Sequence, residues 1–422
     1  MAAAHEAVAP TSGHHRVREI EGLRAVAAGL VVVFHLSAAV NITHPGLVSP
    51  DAIYWIARFG PLGVAIFFVL SGYLLYSPFA SAALAGMPSP NLTRYYVRRF
   101  ARIFPAYWVA VTVYLFVVGP NQVHGVADAA EFLGLAQNYH AGNMLRGLGV
   151  AWTLVIEVSF YVVLPVMAWA LRGPRSAHLS AHARLRRQLC GLVVIYCAGV
   201  ASRFVGVNSR SLWVVQHHLW RPHRYLDLWL PGFLDWFALG MLLAVLGTWH
   251  QAGQPLPRWV ATLTTRSWIS WAGAFVVYWT LQQANFPTTI GTAYTVSQGM
   301  INNTLMPIAG VLIVLPVALG AGNGGVLRSV LRTKPFVTVG VASYGVYLWH
   351  VIWIRQTVVW MTERTIPRSA TLQMVLVLGL TATSAATSYF VIERPFIRWS
   401  SRVGRRASVD RERGGVPLAV GS

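Results

Sequence analysis

His35 lies inside the apolar run Gly22–Leu36, long enough with its flanks to cross a bilayer. An ionisable side chain at that depth is costly, roughly 2.5–3.5 kcal/mol on insertion scales for the strongly charged types. A neutral imidazole costs less but still needs a partner or water, so His35 is a functional candidate from its position alone. Arg24 precedes it by eleven residues, which at about 100° per residue returns to within about 20° of the same helix face. One helix therefore carries a cation near its start and a potential base deep inside. A second group is Arg94, Arg98 and Arg102, at i, i+4 and i+8, with Arg99 beside them. Guanidinium groups bind phosphate in bidentate fashion, so these arginines fit a polyphosphate ligand. The competing reading is an ordinary positive-inside anchor.

Thr153, Glu157 and Tyr161 recur every four residues and make a polar stripe on an apolar helix that opens at Trp152. Glu157 is expected to face the bundle interior and to meet a cation or His35, both Glu157 and His35 lying toward the outer half of the membrane, and a Glu157–His35 contact would fix the tautomer of the imidazole. Ser343, Tyr347 and His350 form a similar stripe at i, i+4 and i+7. Asp235 reads as a packing residue, and Glu393–Arg394 as a structural pair. Ser71 sits in an apolar helix, where serines bond back to helix carbonyls, and is not read as a nucleophile. No phosphate-binding loop, dinucleotide fingerprint, zinc-protease or nucleophile-elbow motif occurs in a supporting context. Cys190 and Cys197, the two cysteines, are about 10 Å apart along one helix. They read as ordinary buried thiols, and no metal ligand set is expected.

The elements that must position these residues are membrane helices. Of 422 residues, 55% are hydrophobic and 11% charged, against about 25% charged in a soluble domain, and the mean hydropathy is +0.52. The net charge of +20 is spread between apolar runs rather than over one soluble patch. That favours a lipid bilayer over nucleic acid as partner. Apolar stretches of roughly 17–25 residues predict an all-α polytopic protein of ten spans: Ile20–Val40, Pro61–Phe79, Ile103–Gly119, Ala151–Leu171, Leu189–Gly206, Leu228–Leu246, Trp268–Gln283, Ser297–Leu319, Val337–Trp360 and Ala370–Ile392. No soluble domain is expected between them. Residues 1–15 and 401–422 read as flexible tails around a domain of residues 16–400. Most of the cations fall on alternate connections and tails, which places both termini in the cytoplasm and requires an even number of spans.

In order along the chain, Glu21-Gly-Leu-Arg-Ala25 with His35, Gly63 to Tyr73, Arg98 to Tyr107, Trp152 to Tyr161, Gly340 to His350 and Glu393-Arg-Pro395 resemble acyltransferase family 3, the integral membrane O-acyltransferases. The resemblance covers roughly Arg16 to Arg398. It implies a ten-helix core and transfer of an acyl group, usually acetyl from acetyl-CoA, to a hydroxyl of a sugar, glycolipid or glycosylated natural product. The donor would be a substrate rather than a resident cofactor. His35 corresponds to the family's essential histidine, and Arg98, Arg99 and Arg102 to its functional arginines. A further family arginine matches Arg16 or Arg18. Many relatives carry an added hydrolase-like domain, which is not expected in this sequence. On this reading His35 is base or acyl carrier and Glu157 its partner. Arg24, Arg98, Arg99 and Arg102 bind CoA, while Trp152, Tyr161 and His350 lie near the acceptor. A transporter or flippase without acyl chemistry is the competing class.

Overall fold

The computed structural model describes residues 11–49, 52, 55–56, 59–119, 123, 125–140, 143, 146–174, 178–211, 226, 228–283, 295–320 and 325–402, with backbone alone for 11–16 and 209–211. Among them the regular structure is all helical, with no strand. The long helices are α1 (Thr11–Thr43), α2 (Phe59–Ala85), α3 (Leu92–Val113), α5 (Trp152–Arg172), α6 (Ala181–Ser211), α7 (Leu234–Gln251), α9 (Ser267–Gln283), α10 (Val296–Leu319), α13 (Ser343–Thr362) and α14 (Ala370–Ser388). Shorter ones are α4 (Val126–Leu133), α8 (Arg258–Thr265), α11 (Gly325–Leu331) and α12 (Lys334–Val341). Eight described helices are long and apolar enough to cross a membrane. The expected ninth span is a helix pair, α12 and α13, bent by 72°. The expected seventh is α9, which at 17 residues falls just below the length of about 18 that reads as a span. α1 reaches back to Thr11, into the stretch expected to be tail. Residues 1–10 and 403–422, and Arg175, lie outside the described residues, and Arg16 is described by its backbone only.

Two helices cross at the centre. Gly72 of α2 and Gly240 of α7 face each other's backbone, and a Cβ on Gly72 would meet the Phe237 carbonyl as one on Gly240 would meet that of Val69. Small residues at such a crossing let apolar helices pack where lipid offers no hydrophobic drive. Phe68, Phe237 and Phe160 stack beside it at centroid distances of 4.7 and 4.0 Å, each such pair contributing about 0.5–1.5 kcal/mol beyond burial. A second close approach brings Gly22 of α1 to the Leu331 backbone and Gly340 of α12 to the Glu21 backbone. The glycines of two family-like motifs are thus contact points.

Buried charges are paired, as burial in a low-dielectric interior demands. Asp235 meets Arg203 across α6 and α7, in keeping with its reading as a packing residue. Glu19 on α1 takes Arg328 at 2.9 Å and Arg332 at 3.2 Å. Arg18 donates to the Arg332 carbonyl at 2.7 Å. Two expectations fail. Cys190 and Cys197 are free and exposed because α6 has only 28% of its apolar window buried and turns that face outward. Glu393 is buried and takes a bond from Ser388 at 3.4 Å, while Arg394 lies 5.8 Å from the Phe390 ring. Adjacent helical positions point about 100° apart, so Glu393 turns into the bundle while Arg394 turns outward.

Candidate active site

At the arginine-rich end of the bundle, α1, α2, α3, α5 and α13 enclose a cavity of about 290 Å³. α1 supplies Glu21 and Arg24, α2 supplies Phe67 and Ser71, α3 supplies Arg99 and Arg102, α5 supplies Thr153, Glu157 and Tyr161, and α13 supplies Ser343, Tyr344 and Tyr347. Asn91 caps α3 by accepting from the Arg94 amide at 2.9 Å, which fixes where the helix starts and hence which arginines turn inward. Those are Arg99 and Arg102, an i, i+3 pair. Arg98 is exposed and does not line the cavity, because its position falls on the outer side of the helix. Arg24 is held by Glu21 at 2.9 Å. Arg99 lies 5.8 Å from the Tyr161 ring, and its buried Nε has no hydrogen-bond partner among the described residues. A buried donor left open beside two further guanidiniums is an arrangement for an anion.

Glu157 faces this cavity and not His35. Its Oε1 accepts from the Ser71 hydroxyl and from the Tyr161 hydroxyl, both at 2.6 Å. Glu157 faces the bundle interior as expected, but of its two expected partners the His35 contact does not form, and Ser71 bonds to Glu157 rather than to its own helix. The physical reason is the entry of α5. The stretch before it, with Gln137, Asn138, Leu148, Val150 and Ala151, is already buried, so α5 starts inside the fold and not at a membrane surface. Thr153 meets Tyr347, which puts Glu157 about two helical turns, roughly 10 Å, from the level of His350. Trp152 packs on Phe233 at 5.9 Å and its carbonyl accepts from Asn138 at 2.8 Å. It holds the start of α5 and does not line the cavity.

His35 instead meets His350. His350 Nε2 lies 3.2 Å from His35 Nδ1, with ring centroids 5.1 Å apart. His350 Nδ1 is 3.1 Å from the Val346 carbonyl and His35 Nδ1 is 3.0 Å from the Val31 carbonyl. A carbonyl only accepts, so each Nδ1 carries a proton. His350 Nε2 is then a lone pair accepting from His35 Nδ1–H, and His35 Nε2 is a lone pair with no hydrogen bond among the described residues. His350 is fully buried. It stands directly against His35. The sequence marks both histidines without pairing them. Their stripes, each read as one face of one helix, hold no sign of the partner helix.

A separate group, Asp128, Glu131 and His140, has ligand atoms within 4.8 Å of one another. Asn143 donates to Glu131 at 2.8 Å and Arg146 to Asp128 at 3.2 Å, so the carboxylates already have protein donors.

A family model described as an acyltransferase domain matches residues 17–392. The chain belongs to acyltransferase family 3. It is similar to the peptidoglycan O-acetyltransferase OatA of Listeria monocytogenes, 24% identical over 90% of this chain and 55% of that protein. It is also similar to nodulation protein 10 of Rhizobium leguminosarum bv. viciae, 26% identical over 94% of this chain and 98% of that protein. A third relative is a putative membrane-bound transacylase, BcsY of Komagataeibacter xylinus, 24% identical over 96% of this chain and 89% of that protein. The chain spans about half the length of the OatA O-acetyltransferases it matches. No solved structure matches it. Family membership makes the region where the histidine pair and the arginine-lined cavity adjoin the candidate group-transfer site.

Proposed function

We propose that the protein is a membrane O-acyltransferase that moves an acyl group, acetyl in the first instance, from acyl-CoA to a hydroxyl of a carbohydrate or glycosylated acceptor. The observation that carries this reading is one cavity with three guanidiniums, together with an Arg99 Nε and, one helical turn beyond the inner end, a His35 Nε2 that both have no hydrogen-bond partner among the described residues. Arg24, Arg99 and Arg102 hold the phosphates of the donor, and the apolar wall at Phe67 takes the thioester arm. His35 Nε2 removes the proton of the acceptor hydroxyl as its oxygen attacks the thioester carbonyl. The C–S bond then breaks, and the CoA thiolate takes the proton back from His35. His350 keeps His35 in the tautomer that presents Nε2 and accepts from its Nδ1–H throughout. Glu157 orders Ser71 and Tyr161 and offsets the arginine charge. The arginine-rich end is the cytoplasmic one, where acyl-CoA is available, and ten spans bring both termini to that side.

The test is acyl transfer from radiolabelled acetyl-CoA in membranes, with CoA affinity measured by calorimetry on purified protein. His35→Ala should lose transfer, by roughly 10²–10⁴-fold if His35 is the base, with CoA affinity retained. Arg99→Ala should weaken CoA binding. Wild-type turnover in His35→Ala, or unchanged CoA affinity in Arg99→Ala and Arg102→Ala alike, overturns the reading. Acceptors related to those of the relatives, peptidoglycan fragments first, are the ones to supply.

A further inference from the structure

The cavity and the histidine pair adjoin, yet neither His35 nor His350 lines the cavity. Its inner end is formed by Tyr347 and Thr153. The Tyr347 hydroxyl bonds to the Thr153 hydroxyl and donates to the Val150 carbonyl at 2.8 Å, and Thr153 also lies 3.2 Å from that carbonyl. With one proton on each hydroxyl, Tyr347 donates to Val150 and accepts from Thr153, and these bonds tie α13 to the start of α5. The ring of Tyr347 touches two groups of opposite character. It meets Phe67 of the cavity wall, edge-on at 6.3 Å, and His350 at 5.9 Å. His350 in turn is 5.1 Å from His35. All of these side chains are buried or half-buried.

We propose that Tyr347 is the residue that separates the donor cavity from the catalytic histidine, held shut by its bonds to Thr153 and Val150, and that it must swing aside for the thioester carbonyl to reach His35. This deepens the reading of the cavity as the donor site and rests on it. The chemistry gives the separation a purpose. A thioester parked beside a histidine base with water present would be hydrolysed, so a barrier that opens only in the loaded enzyme protects the donor. The latch is made for reversible opening. It consists of hydroxyl hydrogen bonds, each of small net worth, and involves no ion pair. Its two partners lie on different helices, so motion of α13 against α5 breaks it in one step. Thr153 and Tyr347 therefore carry a functional role that packing alone would not require, since valine and phenylalanine would fill the same space.

The test measures access to position 35 and needs neither CoA nor turnover, so its outcome is independent of whether the donor reading holds. The background is the full chain with Cys190→Ala and Cys197→Ala, both at exposed positions, and His35→Cys. A negatively charged methanethiosulfonate, which the cavity arginines favour, is added to everted vesicles, where the cytoplasmic end faces the reagent. Modification of the introduced thiol should be slow with Tyr347 and Thr153 in place. It should quicken by about tenfold in Tyr347→Phe, the worth of roughly one net hydrogen bond, and further in Tyr347→Ala. Thr153→Val, which leaves the Tyr347 bond to Val150 in place, should quicken modification less than Tyr347→Phe, whereas Thr153→Ser, which keeps the hydroxyl, should stay slow and rule out a mere loosening of the fold. Equal rates with and without the Tyr347 hydroxyl overturn the proposal. So does an introduced thiol that stays unmodified from this side in Tyr347→Ala, because the barrier would then lie elsewhere.

Discussion

His35 gains its proposed chemistry from one hydrogen bond. With Nδ1–H shared between the Val31 carbonyl and His350 Nε2, the ring is fixed in the tautomer that leaves Nε2 as acceptor. His350→Ala removes that support and leaves a cavity in a buried site. Turnover should fall by at least about tenfold, the lower end of what a misplaced base costs, with CoA affinity unchanged. His350→Gln can still accept from Nδ1–H through its amide oxygen and should recover part of the loss. Steady-state rates beside calorimetric CoA affinity check both. Glu157→Gln separates two roles in a different way. The amide oxygen can still accept from Ser71 and Tyr161, so the fold should hold. Because Glu157 stands about two turns from the histidine level, the histidine limb of the pH–rate profile should stay where it is. A displaced limb in Glu157→Gln would mean that the carboxylate acts on His35 after all.

Helix ends and crossings decide which of these residues meet. α5 begins beneath a buried segment, and its register brings Thr153 to Tyr347 and Glu157 to Ser71. α13 follows a 72° bend that places Ser343, Tyr344 and Tyr347 on the cavity. The crossing of α2 and α7 anchors the wall that carries Ser71, next in sequence to Gly72. Gly72→Val or Gly240→Val should therefore force the helices apart, at about 1–3 kcal/mol for overpacking. In detergent this should show as a lowered unfolding temperature together with lost transfer. By contrast, Cys190→Ala and Cys197→Ala face outward and should change stability by no more than about 0.5 kcal/mol. Equal thermal shifts in the glycine and cysteine variants would count against the central crossing.

For the whole molecule, charge is distributed to one end. Arg24, Arg99 and Arg102 share the cavity, while Glu19, on the same helix as Arg24, gathers Arg328 and Arg332, so the proposed donor site lies at a basic end of the bundle. CoA binding there should weaken as salt rises from about 50 to about 500 mM, through a range in which the Debye length shrinks from about 14 to about 4 Å. The loss should be smaller in Arg102→Ala, which has less charge to screen, and calorimetry at several salt concentrations checks it. An affinity indifferent to salt in the wild type would remove the arginines from donor binding.

Composition and hydropathy alone determined the class of this protein. Helices that satisfy their own backbone are what an apolar chain of this length forms in lipid, and cations at alternate connections gave the orientation proposed for them. Single residues were legible for the same reason: an imidazole at His35 or His350, a carboxylate at Glu157, or guanidiniums at Arg24, Arg99 and Arg102 are too costly in an apolar helix to be incidental. Pairing was not legible. Periodicity reports the face a residue occupies on its own helix and carries no information on which helix lies opposite or at what height. Sequence therefore pairs His35 with Glu157 when its partner is His350, and passes over Ser71, which binds Glu157. It groups Arg98 with Arg99 and Arg102 although only the latter two turn inward. Depth is misread because α5 starts inside the bundle, a consequence of the packing of Gln137, Asn138, Leu148, Val150 and Ala151 that no local pattern records. Only the tertiary structure sets one helix against another, and it is there that Tyr347 comes to stand between the cavity and the histidines.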